Sequence, residues 1–187
     1  MKHSTVFFDI ETGGLEDRHP TIQIGAVAVN DGHTVDEFER KIKFDPSICD
    51  PRALEINAYT DTDWSAAVDH KVAMTDFAGF CQSHAQIVGG YNLPICMTGG
   101  HNAMKFDLPK LRRDSRQLGV YLPIHNYILD TYALAIWYFT LRPPFPVNLQ
   151  LDTLCDHFGI QQGHHDALND SRATVELARK LTAGANT

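Results

Sequence analysis

The sequence predicts an α/β domain: a mixed central sheet, made of an antiparallel meander followed by β/α units, with helices flanking it. Three observations carry this. Thr5–Ile10, Thr21–Val29 and Val35–Phe44 are short apolar or alternating runs, as strands require. Asn30-Asp31-Gly32 is a tight-turn signature, so the second and third strands pair as a hairpin. Beyond residue 100 the periodicity turns helical, and strands followed by alternating elements give a sheet with helices on its faces.

Gly13-Gly14 closes the first strand. Helical segments are expected at Ala53–Asn57 and Val72–Ser83, and a short strand at Ile95–Thr98 ends at Gly99-Gly100. Leu108–Leu118 follows as a helix, because Pro109 is tolerated in a first turn. Thr131–Phe139, Leu151–Phe158 and Ala167–Leu181 complete the set. Arg142-Pro-Pro-Phe-Pro146 reads as a stiff surface loop, since its prolines forbid regular structure.

Composition bounds the function. A chain of 187 residues, 43% hydrophobic, is expected to fold as one domain spanning 1–187. With no apolar run of ~18 residues a membrane span is not expected. The start, Met-Lys-His-Ser-Thr, has no basic segment leading into a long apolar stretch, which gives the expectation of a cytoplasmic protein. Cys49, Cys81, Cys96 and Cys155 are too scattered for a zinc site or disulfide framework and read as buried free thiols. The net charge of −7 argues against non-specific coating of long nucleic acid, but two bound divalent cations would cancel over half of it. Lys105, Lys110, Arg112, Arg113 and Arg116 cluster locally; a solvated helix face and a phosphate-contacting patch are equal readings of them.

Three short segments carry chemistry. Asp9 and Glu11 are two apart on a strand, so both carboxylates leave the same face, a costly pairing without a cation. Alone the motif is weak, since an acid at a strand end is commonly solvated. Gly13 and Gly14 would admit a substrate close to the backbone, or form a plain turn. Asp107 opens a helix whose N-terminus favours an ionised oxygen ligand, although simple capping is as common a use. His101 and Asn102, in the loop before it, read as orienting hydrogen-bond groups. Near the C-terminus, Asp166 is placed to cap the last helix, Asp170 falls in its first turns, and His164 or His165 stands just outside. A near-neutral histidine suits proton abstraction from water, and an acid beside it suits metal binding. Four carboxylates and a histidine in one pocket would be the apparatus of a metal-dependent nuclease.

These segments, FDIETGGL, HNAMKFDLPKL and HDALNDSRAT, resemble in order and spacing the three motifs of the DEDDh family of 3′→5′ exonucleases. That family includes polymerase proofreading subunits, exonuclease I, three-prime repair exonucleases, RNase T and oligoribonuclease. The resemblance implies an RNase H-like fold, with Asp9, Glu11, Asp107 and Asp170 as ligands of two Mg²⁺ or Mn²⁺ ions. It selects His165 over His164 as general base. It also implies that Thr12, Gly13, Gly14 and Leu15, with Ile56 and Asn57, embrace the 3′-terminal nucleotide, while His101, Asn102 and Phe106 support the site. The implied reaction removes nucleoside 5′-monophosphates from the 3′ end of DNA, single-stranded or frayed. RNA 3′-end trimming is the alternative, followed by a nuclease-fold binding subunit of a larger complex. A nucleic acid 3′ end is the expected partner, and a homodimer is compatible with the likeness. The chain departs from the common pattern by one extra residue in the second motif, a variant that resembles exonuclease I and the three-prime repair enzymes, and by a long Gly89–Gly100 connection and the proline-rich loop, both of which bear on substrate preference.

Overall fold

The computed structural model describes residues 4–88, 92–163 and 166–183. His164, His165, Gly89, Gly90 and Tyr91 therefore lie outside the described residues. Five strands, β1 (Ser4–Thr12), β2 (Thr21–Asn30), β3 (His33–Lys41), β4 (Cys96–Gly100) and β5 (Ile124–Asp130), form one sheet of order β3-β2-β1-β4-β5. The first three are antiparallel, turning through Asp31 and Gly32 at φ 51° and 79°, while β4 and β5 run parallel to β1. Both faces of β1 are covered, which explains its unbroken apolar run. Val6, Phe8 and Ile10 enter the main core, with Phe77 and Leu111. Phe7 points the other way, to Val27, Val175 and Ala178. Asp9 and Glu11 continue the Phe7 side by the alternation of the strand.

The helices are α1 (Pro51–Ile56), α2 (His70–Ser83), α3 (Asp107–Leu118), α4 (Thr131–Leu141), α5 (Leu151–Phe158) and α6 (Ala167–Thr182). Asp50, Asp130 and Asp166 accept hydrogen bonds at the starts of α1, α4 and α6, so Asp166 has the capping role expected of it. A second core joins α4, α5 and α6 through Ala135, Phe139, Leu154, Leu177 and Leu181. The four cysteines are buried and free. Among the described residues no helix is long and apolar enough to cross a membrane.

Two elements differ from the sequence reading. β4 continues through Gly99-Gly100, because Gly99 packs on Phe7, whose ring would lie 2.6 Å from an added Cβ. β5, which the sequence pattern leaves unassigned, is an edge strand of mostly half-exposed residues, so its alternation is faint. Its last residue, Asp130, matters to the site.

Candidate metal-dependent active site

The site forms where β1, α3 and α6 converge, and the tightest group within it is three acids. Asp9, Glu11 and Asp170 each offer a carboxylate oxygen within 4.8 Å of the others. The two β1 acids are half-buried and Asp170 is buried. Asp170 reaches them because the start of α6 lies directly on β2. A Cβ on Gly25, the residue paired with Asp9 in the sheet, would meet the backbone of Ala167 and Leu168 at 2.2 Å. Gln23 donates to Asp166 at 2.8 Å, and Ser171 Oγ donates to the Gly25 carbonyl at 3.1 Å. Gln162 Nε2 donates to Asp170 Oδ1 at 3.0 Å and fixes that carboxylate.

Asp107 stands beside this trio. Its Oδ1 accepts the Ile10 N–H at 3.3 Å, which ties α3 to the strand that carries the other acids. Burial, reinforced by Asp107, Glu11 and Asp170, holds the Asp9 carboxyl well above the usual carboxylate range. Burial with the charges of Asp170 and Asp107 pushes Glu11 up to about 8. Asp107 is pushed up to about 7, again chiefly by burial, against the relief of backbone N–H donors. The helix N-terminus alone would keep Asp107 ionised, but in this crowded site burial outweighs it. Hard oxygen donors that hold protons for want of positive charge fit a divalent cation.

Two hollows flank the cluster. One, of about 550 Å³, opens on the Glu11 side, and Thr12, Gly14, Leu15, Lys105, Phe106 and Asp107 are among its lining residues. The other, of about 280 Å³, opens on the side of Asp9 and Asp170, with His101, Gln150, Asp152 and Gln162 around it. Leu15 is 97% exposed and Phe106 53%, so two apolar side chains project at the first hollow. Thr12 Oγ1 donates to the Gly14 carbonyl, and Asn57 Nδ2 donates to the Thr12 carbonyl at 3.0 Å, bracing the strand end. Gly13 and Gly14 are small for packing reasons: Cys49 and His19 occupy the space a Cβ would need, and Gly14 sits at φ +146°. Ile56 is exposed at the end of α1.

His101 is an orienting group in this fold. Its ring nitrogens lie 2.9 Å from Thr131 Oγ1 and 2.9 Å from the Leu149 carbonyl, and burial lowers its pKa, keeping it neutral. Asn102 lies outside both hollows and lines a separate one with Tyr127 and Ile136. Its backbone, at φ 55°, donates to Asp130 Oδ1 at 2.8 Å, and Met104 N–H donates to the other oxygen. Asp130 is thus the anchor of the whole loop before Asp107. Sequence reasoning passed over it, although an Asp directly before a helical run is the ordinary signature of a cap. Gln162 gave no comparable signal. His165, the expected base, precedes Asp166 in sequence but lies outside the described residues.

A profile of the exonuclease family, of RNase T type, matches residues 6–178. The chain is 31% identical over 182 residues to a PolC-type DNA polymerase III of Caldanaerobacter subterraneus, and 29% identical over 184 residues to that of Bacillus subtilis. Each match covers 94% of this chain and 11% of the relative, so the chain spans about a tenth of the length of these curated relatives. Among solved structures, E. coli exonuclease I in complex with a dT13 oligonucleotide superposes with a TM-score of 0.76 at 18% identity, over 97% of this chain and 41% of that one. The zinc-bound E. coli exonuclease I–ssDNA complex gives 0.78 at 16% identity, over 97% and 41%. These likenesses establish the RNase H-like fold.

Proposed function

The chain belongs to the exonuclease family, and from that membership we propose that it removes nucleoside 5′-monophosphates from the 3′ end of DNA, on single-stranded or frayed ends. The observation that carries this reading is the Asp9–Glu11–Asp170 cluster set between two hollows, with Asp107 tied to the same strand. The names of the relatives, a DNA polymerase III and an exonuclease I in complex with oligonucleotides, favour DNA over RNA.

Asp9, Glu11 and Asp170, with Asp107 beside them, are the residues that would hold two Mg²⁺ or Mn²⁺ ions. Bound there, the cations would polarise the scissile phosphate and ease ionisation of the attacking water. His165 takes the proton of that water, a role suited to a histidine of near-neutral pKa. Gln162 and the Asp166 cap hold Asp170 in place, and Asp130 holds the loop that leads into Asp107. Leu15 and Phe106, exposed at the Glu11-side hollow, offer apolar faces to terminal bases without reading their edges.

Matched 3′-ended single-stranded DNA, duplex DNA and RNA, incubated with Mg²⁺ or Mn²⁺ and with a chelator control, test the proposal. Laddering from the 3′ end, fastest on single-stranded DNA and abolished by chelation, is expected. Faster cleavage of RNA would turn the assignment to 3′-end RNA trimming. Binding without cleavage, or digestion from the 5′ end, would defeat it. In the His165→Ala variant, cation binding should persist while most turnover is lost.

A further inference from the structure

The larger hollow does not end at the carboxylates. Its wall continues along α3, where Lys110, Arg113 and Arg116 recur every three residues on the groove side, rising about 4.5 Å per step. Lys110 is committed within the fold, its Nζ donating to the His19 carbonyl at 2.6 Å. The two arginines are disposed differently. Arg113 is held at its root by buried Asp114, 3.6 Å from Nε, while its NH1 donates to Asp17 at 2.5 Å. Asp17 lies in the loop between β1 and β2 and also lines the groove, with its side chain wholly exposed. The Arg116 side chain is exposed in the last turn of α3 and makes no hydrogen bond or ion pair among the described residues. Arg112 points away, to the His125 carbonyl and Asn126.

We propose that Arg113 and Arg116 form a phosphate-binding subsite for the strand 5′ of the scissile bond, with Asp17 as a counter-ion that an incoming phosphate displaces from Arg113. The inference rests on the exonuclease reading of the adjacent carboxylates and extends it. An exposed carboxylate holds a guanidinium weakly in water. A backbone phosphodiester presents two non-bridging oxygens to the same guanidinium fork, and with the charge of its neighbouring phosphates along the strand it can take over the contact. Arg113 is then pre-aimed by Asp114, and Asp17 keeps the groove from gathering adventitious anions. The subsite carries no base specificity, since it reads only the backbone.

The test uses the whole chain with a fluorescent single-stranded dT oligonucleotide, in chelator, so that binding is read without cleavage. Arg113→Gln and Arg116→Gln together should weaken binding severalfold and reduce the salt slope of log affinity by about 1.4, the value for two phosphates on a single strand. Asp17→Asn should act in the opposite direction, tightening binding, because it removes the competitor. The opposed signs separate the subsite from a general loss of fold, and Arg116→Gln alone alters only an exposed side chain. Unchanged slope and affinity in the double arginine variant, or weaker binding in Asp17→Asn, would overturn the subsite. If the wild-type chain cleaves 3′ ends while these variants bind as it does, the subsite fails and the exonuclease reading stands. A wild-type chain that neither cleaves 3′ ends with Mg²⁺ nor binds the oligonucleotide would overturn both.

Discussion

At the scale of single residues, the site sets function against stability. Glu11, pushed up to about 8, sits among acids that repel it and in a setting that strips its water. Substituting Glu11→Gln keeps the shape and removes the charge. The metal-free variant should therefore be more stable than the wild type near pH 8, by on the order of 1–2 kcal/mol, as judged by denaturant melts. Its 3′-end cleavage in Mg²⁺ should fall by more than about 100-fold. A variant that lost stability as well as activity would show that Glu11 is held by bonds and not opposed by its neighbours. The pairing of Asp9 with Glu11 was legible in the sequence because strand alternation fixes their common face. What the sequence could not display was which polar neighbours would orient them. Asp130 lies 28 residues from Asn102, whose N–H it accepts, and Gln162 lies eight residues before Asp170, ahead of α6, so only the fold brings Asp130 to the loop before Asp107 and aims Gln162 at Asp170.

At the scale of elements, one close approach sets the geometry of the cluster. The start of α6 can carry Asp170 to Asp9 only because Gly25 offers no side chain beneath Ala167 and Leu168. Gly25→Ala forces those backbones apart, and buried overpacking of this kind costs about 1–3 kcal/mol. The expected result is a lower melting temperature together with weakened Mg²⁺ affinity, read by the metal-dependent shift of that temperature. A lowered melting temperature with an undiminished Mg²⁺ shift would show that α6 yields without moving Asp170. Nothing in Ile22-Gln23-Ile24-Gly25 announces this role, because a glycine in an apolar strand reads equally as a bulge or a weak point. Elements with strong local signals were read correctly: α6 from its Asp166 cap, and the β2–β3 hairpin from Asn30-Asp31-Gly32. β5 escaped because an edge strand with one open side lacks the pattern that betrays a buried one.

At the scale of the whole molecule, a chain of net charge −7 crowds Asp9, Glu11, Asp107 and Asp170 together, and this makes stability depend on pH and cations together. Glu11 moves from 4.5 to about 8 and Asp107 from 3.8 to about 7 on folding, so the folded chain keeps protons that the unfolded chain releases. Stability must then fall as pH rises through that window. His101 acts in the other sense, because its lowered pKa gives stability that grows as pH rises toward 6.5 and is complete above it. Asp114 also has a lowered pKa: burial would raise it, but the His70 ring 3.5 Å away and the hydrogen bond from Thr21 prevail, and its contribution is lost only in acid below 3.8. Neither His101 nor Asp114 therefore opposes the acid cluster between pH 6.5 and 8. In chelator, the melting temperature should decline across that interval, by the equivalent of about 2–4 kcal/mol. With Mg²⁺ or Mn²⁺ in excess, cations take the place of the protons, and a hundredfold excess over Kd adds about 2.7 kcal/mol. The cation-dependent gain should consequently grow with pH, because at pH 6.5 it must first displace protons and at pH 8 it need not. Melting curves at matched ionic strength check this, and parallel pH profiles with and without the divalent ion would show that these carboxylates do not bind it.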